Sequence, residues 1–421
     1  MCFVNIWSYS ILACFGVTGN ACATETFAIC RRKTKFLKEI AYLCVLQIDK
    51  TKMDIKGKIT GIKYKVSTSE TLKVVDIQDF NINESPAYCL VKDKNNSFAV
   101  SKWVSPKRTR SYPYERVYNT LNSSKKITVI PIVIDEGARG DRDFLQWDTV
   151  SLMSLLDVFV IFSYYEKAEI NPRFENKITN QLFDNKFVIS KIKEIEQYHS
   201  SALHWNLNEL KNNLHDIIDK AKTCYSKMEK DLGVKLHSFN GLDNFKEKIG
   251  KEVETFMQFS REKAEKAQAR EMLTTQPKES LSTLTKSKIT ITNYLGGQYF
   301  FTVDEIMFLQ NPDILFLIES KHSKNSLFPS VGDIKDGLLK MILYSNLCEV
   351  EFNGKIVDSM GVLQLTSDKL IGILGGGISP KTQQKFYIDN KLSKSQIDFV
   401  ENLLAEAKTN NFVLEIRGKL C

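Results

Sequence analysis

Along the first third of the chain, apolar and polar positions alternate with a period of two, as strands with one buried face require. The pattern predicts strands at Lys58–Val66, Thr71–Ile77, Tyr88–Val91, Phe98–Val104 and Lys126–Asp135. An almost wholly apolar run from Thr149 to Tyr165 follows and predicts a buried core helix. Over 186–272 the period becomes helical. Leu203, Leu207, Leu210, Leu214, Ile217, Ala221, Cys224 and Met228 recur in alternating steps of four and three, and a second helix is expected over about 243–272. This stripe fits an antiparallel helical hairpin packed on the core, or the seam of a homodimer. A Thr-, Ser- and Lys-rich stretch at 273–286 reads as a linker.

The last third returns to strands. Ser287–Leu295 alternates apolar and polar residues, and Gly296-Gly297 turns it into the next strand. Residues 298–323 form two apolar runs joined at Asn311-Pro312, both turn formers. A hairpin closed about that pair sets Asp304 opposite Glu319, since both lie equally far from the turn. Lys321, two residues on, shares the face of Glu319. A loop at Pro329–Asp333 then leads into a helix capped by Asp333 or Gly332, with Ile334, Leu338, Met341 and Tyr344 at helical spacing. Strands are expected at Gly361–Leu365 and Lys369–Leu374, a helix over Ser393–Lys408 and a strand over Phe412–Arg417.

Two carboxylates and an ammonium converging on an apolar ribbon suggest chemistry. A close carboxylate pair is a hard, oxygen-rich site suited to Mg2+, which keeps several waters and binds phosphate oxygens. A neighbouring lysine can orient an attacking water or pair with phosphate. Hydrolysis of a phosphodiester needs this set. The plainer alternative is an exposed Asp-Glu-Lys salt bridge at a hairpin end, worth little to stability.

Asp304, fourteen residues, then Glu319-Ser320-Lys321 resembles the active-site signature of the PD-(D/E)xK nuclease superfamily, which includes type II restriction endonucleases. The resemblance implies Asp304 and Glu319 as metal ligands and Lys321 as the catalytic lysine. It implies an α/β fold with a restriction-endonuclease-like core, a mixed sheet flanked by helices, over roughly 245–375; the strand and helix pattern upstream adds a β-rich N-terminal domain and a helical insert. It departs at the first motif, where Asp304 follows valine. A literal Pro-Asp occurs at Pro312-Asp313, but Asp313 lies six residues before Glu319 on one strand, roughly 20 Å away at about 3.3 Å per residue.

The expected division is an uncertain extension over 1–52, a β-rich domain over 53–170 suited to DNA recognition, a helical region and linker over 171–286, and the nuclease core over 287–421. Residues 1–52 imitate a signal peptide only roughly, and Met53 begins like a first strand, so an overlong gene start is expected. The chain has 58 basic and 50 acidic residues, a formal charge of +8, which is compatible with a polyanion and too mild to identify one. Distribution is more telling. Lys102, Lys107, Arg108 and Arg110 stand among aromatics in a turn-rich loop that either contacts DNA or is simply solvated. Asp135, Arg139, Asp141, Arg142 and Asp148 suggest a second acidic metal site, a base-reading loop built on Arg139 and Arg142, or turn chemistry.

None of the nine cysteines forms a C-x-x-C pair, which points to reduced thiols in a cytoplasm and no zinc site. The five histidines show no metal-ligand spacing, and Glu254 is a weak candidate for a third acidic group. These readings converge on a Mg2+-dependent, site-specific deoxyribonuclease acting on double-stranded DNA, paired functionally with a DNA methyltransferase and not membrane-bound. A repair or recombination nuclease is the alternative within that class, and a non-catalytic nucleic-acid-binding protein the alternative outside it.

Overall fold

The computed structural model describes residues 54–94, 96–106, 111–251, 287–310 and 312–419, with isolated positions between 258 and 266. In chain order these hold β1 (Asp54–Ile59), β2 (Val74–Asp76), β3 (Tyr88–Asp93), β4 (Asn96–Lys102), α1 (Ser111–Thr120), β5 (Lys126–Pro131), β6 (Val133–Asp135), β7 (Arg142–Phe144), α2 (Trp147–Leu155), β8 (Val158–Ser163), β9 (Tyr165–Asn171) and β10 (Phe174–Phe183). Helices α3 (Asn185–Glu196), α4 (Ala202–Asn212), α5 (Leu214–Leu232) and α6 (Asn240–Lys251) follow. Then come β11 (Ser287–Asn293), β12 (Gln298–Val303), β13 (Glu305–Leu309), β14 (Ile314–Ser323), α7 (Val331–Tyr344), β15 (Cys348–Phe352), β16 (Lys355–Ile371), β17 (Ile373–Gly375), α8 (Pro380–Asp389), α9 (Lys394–Asn410) and β18 (Val413–Lys419). The expectations for the extension 1–52 and for Glu254 lie outside the described residues.

The fold is mixed α/β, with mixed sheets and flanking helices, and it parts into two compact units. One comprises 54–68, 287–292 and 300–419, the other 69–251 and 293–299. The division expected at 170 instead falls inside β9, whose hairpin with β10 packs under α5 and ties the β-rich segment to the helices. Residues 54–68 belong with the C-terminal part because β1 pairs with β15 and because the Glu406 carboxylate accepts from the amides of Ser67 and Thr68.

In the second unit, β2-β3-β4-β5-β8 form a sheet in which β4, β5 and β8 run parallel. Helix α1 crosses between β4 and β5, as parallel strands require. The apolar run 149–165 is not one helix. It begins in α2, turns through Asp157 in the left-handed region (φ 56°), and continues as the wholly buried strand β8. A continuous apolar run suits a parallel strand buried on both faces as well as a core helix, and Val-Phe-Val-Ile-Phe favours the strand. The helical stripe is also interrupted, because Asn213 ends α4 and begins α5. The buried face of α5, Leu214, Ile217, Ala221, Tyr225 and Met228, is already covered within this unit, so that stretch is not left over for a dimer seam.

In the first unit, a mixed sheet of nine strands among the described residues runs β12-β11-β1-β15-β16-β14-β13, with β18 also on β16 and β17 on β18. Its centre is parallel: β14 pairs with β16 from Ile314↔Asp358 to Ser323↔Ser367, and β16 pairs with β18. One face buries Ile314, Phe316, Ile318, Val362 and Val413. Helix α7 packs on β14 and β16. Its cap is Ser330, whose hydroxyl accepts from the Asp333 amide at 3.1 Å, and neither Gly332 nor Asp333 takes that role. A serine in extended backbone one residue before the helix satisfies an otherwise orphaned amide. Gly337 lets this helix sit close: a Cβ there would meet Leu363 Cδ1 at 2.7 Å.

Candidate active site

The predicted hairpin forms with the expected register. β13 pairs antiparallel with β14 from Leu309↔Ile314 to Glu305↔Ile318, which sets Asp304, the next residue, level with Glu319. The first arm is not a single strand. At Asp304 it bends, β12 pairing with β11 while β13 pairs with β14. The bend places the Asp304 carboxylate at the open end of the hairpin, where its Oδ2 accepts from the Ser320 amide at 2.9 Å. Asp313 is exposed in the turn at the other end.

Glu319 lies beneath the surface at 2% exposure, with each oxygen held by an ammonium. Lys321 Nζ is 2.9 Å from Oε1, and Lys340 Nζ, from α7, is 2.7 Å from Oε2. Lys321 also meets Asp336 Oδ2 at 3.1 Å. The structure therefore brings Asp304, Glu319 and Lys321 together and adds Asp336 and Lys340. A trace of these two was available in the sequence: Asp336, Lys340 and Tyr344 recur at steps of four, a polar edge beside the apolar stripe of α7. The Tyr344 hydroxyl is buried with no hydrogen-bond partner among the described residues.

The electrostatics pull the two carboxyls apart. Burial, and then the neighbouring Glu319 charge, push Asp304 up to about 7. Burial also opposes charge on Glu319, but Lys321 and Lys340 outweigh it and hold that carboxyl at about 2. Burial likewise disfavours both ammoniums, yet Glu319 raises each of them, so both stay charged. On the opposite face of the sheet, burial lifts Glu305 to about 7, with Arg417 opposing and Glu415 adding to the rise.

These values give stability a pH dependence with a definite sign. Between about pH 4 and 7 the folded chain holds protons on Asp304 and Glu305 that the unfolded chain releases, so stability falls as pH rises through that window. Glu319 acts oppositely: its contribution is complete above about 4.5 and is lost as pH falls towards 2. In EDTA the melting temperature is expected to drop between pH 5 and 7.5, and Asp304→Asn to flatten that drop. Thermal denaturation across the range measures both, and a melting temperature that rises over it contradicts the assignment.

Two hard carboxylates side by side fit a magnesium ion that completes its shell with water and phosphate oxygens. The unpartnered Tyr344 hydroxyl fits the same picture, since a buried donor beside such a pair is satisfied by ordered water or by a hydrated ion. No group of three or more His, Cys, Asp or Glu placed to hold a metal occurs among the described residues.

The other proposed residues are placed differently. Lys102 Nζ is turned inward onto the carbonyl oxygens of Ile82 (2.6 Å), Asn83 (3.2 Å) and Ser85 (2.7 Å), so it staples a loop and does not face solvent. Arg142 is spent too: Nε lies 3.5 Å from Asp135 Oδ2, Nη1 donates to the Ser238 carbonyl oxygen, and the guanidinium stacks on Phe144. Arg139 is exposed on the Gly137–Gly140 turn. Lys107, Arg108 and Arg110 lie outside the described residues. Asp135 binds Arg142, His237 at 2.8 Å and the Gly137 amide, which is turn chemistry; Asp148 is buried in α2. His322 Nδ1 pairs with the Thr366 hydroxyl on the sheet face away from Glu319.

Among the described residues, Cys89, Cys224 and Cys348 are free thiols. No described helix is long and apolar enough to cross a membrane. No protein-family model, curated protein or solved structure matches the chain.

Proposed function

We propose that this chain is a Mg2+-dependent endonuclease that hydrolyses phosphodiester bonds of double-stranded DNA at a specific sequence, with a restriction-endonuclease-like core of the PD-(D/E)xK type. The observation that carries the reading is the hairpin register, which levels Asp304 with Glu319 and puts Lys321 on the same face. Asp304 and Glu319 would hold the ion, which supplies charge stabilisation at the phosphate and a more acidic bound water. Lys321, fixed between Glu319 and Asp336, is positioned to orient the attacking water and to offset charge growing on a phosphate oxygen. Asp336 keeps that ammonium in place. Glu319 stays ionised at every pH where the enzyme would work, while Asp304 sits near the point where a cation or a proton decides its charge.

One observation favours a second reading. Both Glu319 oxygens are already engaged by ammoniums, as in a structural ion-pair cluster of a nucleic-acid-binding protein. Long duplex DNA with Mg2+ separates the alternatives. Discrete bands are expected. Nicks at particular DNA structures indicate a repair or recombination nuclease, and a mobility shift without cutting makes the cluster structural. A DNA methyltransferase encoded beside this chain would fit the first outcome.

A further inference from the structure

The two ammoniums on Glu319 are held unequally. Lys321 is bound on two sides, by Glu319 Oε1 and by Asp336 Oδ2. Lys340 has one carboxylate partner among the described residues, Glu319 Oε2 at 2.7 Å, and a long contact of 3.5 Å to the Thr302 carbonyl oxygen. Thr302 lies two residues before Asp304, so the ammonium of Lys340 spans from the chain segment that carries Asp304 to the Glu319 carboxylate on β14. A cation shared by the two carboxylates would occupy that place.

We propose that Lys340 is an internal placeholder cation, seated in the metal site of the metal-free chain and expelled when a divalent ion binds; this rests on the reading of Asp304 and Glu319 as metal ligands. Charge matching supports it. With both lysines in place, three carboxylates (Asp304, Glu319 and Asp336) face two ammoniums, and an added divalent ion leaves an uncompensated positive charge in a poorly hydrated pocket. With Lys340 gone, three carboxylates face one ammonium, and the ion balances them. Lys340 is the group free to leave, because Lys321 keeps Asp336 when its hold on Glu319 weakens. The Lys340 side chain is 18% exposed on a flexible stem, so it can swing towards water by rotation about its own bonds. The site thus keeps Glu319 neutralised without metal, and an ion must outcompete a tethered ammonium to enter.

The test is Mn2+ binding to the full chain, measured by calorimetry for the wild type, Lys340→Gln and Asp304→Asn. Lys340→Gln is expected to bind at least about 10-fold more tightly than wild type, about 1.4 kcal/mol. Equal or weaker binding overturns the proposal. Acylation of lysines read by mass spectrometry tests the same point in the unaltered chain. Mg2+ is expected to raise labelling of Lys340 several-fold and leave Lys321 unchanged, and a Lys340 indifferent to Mg2+ overturns the idea. If Asp304→Asn abolishes binding while Lys340→Gln gains nothing, the metal site stands and only the placeholder role falls. If Asp304→Asn binds as the wild type does, the metal site itself falls, and the placeholder with it.

Discussion

Glu319→Ala is expected to destabilise the chain by about 3–5 kcal/mol, as much as a large core truncation. The reason lies in what remains behind. Glu319 is 2% exposed and is the shared partner of two ammoniums that burial already disfavours. Removing the one anion between them leaves Lys321 paired with Asp336 alone and Lys340 with no direct ion pair among the described residues, and breaking a buried pair from one side carries a penalty of this size. Glu319→Gln keeps the shape and one acceptor but loses the charge, so it should also destabilise, by less. Replacing Glu319 and Lys340 together with leucine and methionine leaves Lys321 paired with Asp336 and should recover much of the loss. Urea denaturation of the purified variants gives the ordering directly; a double variant less stable than Glu319→Ala contradicts it.

Lys321→Ala is expected to reduce DNA cleavage by at least about 100-fold, the lower end of what a positioned acid-base or charge-stabilising group supplies. Duplex binding should remain within a few-fold of wild type, because Lys321 is 18% exposed and tied to two carboxylates and thus adds little to electrostatic attraction for a phosphate backbone. Lys321→Arg should not rescue cleavage, since a planar fork does not reproduce a compact point charge between Glu319 and Asp336. Asp336→Asn should have an intermediate effect, because it loosens Lys321 without removing it. Gel-based cleavage and a binding titration on the same variants separate catalysis from affinity, and comparable losses in both mean that Lys321 serves folding or binding.

The hairpin was legible in the sequence because its signals were local. Asn311-Pro312 forces a turn, equal counts either side pair Asp304 with Glu319, and strand alternation assigns Lys321 to the same face. The break at Asp304, where the chain passes from β12 to β13, was not legible, since it depends on β11 competing for the first half of the arm. Lys340 and Asp336 enter through tertiary packing of α7, and only their spacing with Tyr344 hinted at it. The apolar run from Thr149 to Tyr165 does not reveal its strand because burial on all sides erases the periodicity that separates a helix from a strand; Asp157 is its single charged residue. Lys102 and Arg142 show the opposite error. Basic residues in turn-rich segments look free for DNA, but the carbonyl groups and the aspartate that bind them come from elsewhere in the chain, and pattern reading has no access to such partners.

The proposal stands on two carboxylates sharing one divalent ion. Cleavage of long duplex DNA as a function of Mg2+ concentration, for the wild type and Asp304→Ala side by side, tests it most directly. The account predicts discrete fragments from the wild type that vanish in EDTA, and no cutting by Asp304→Ala at any Mg2+ concentration while the variant still binds DNA. Cutting by Asp304→Ala with the Mg2+ dependence of the wild type would contradict it.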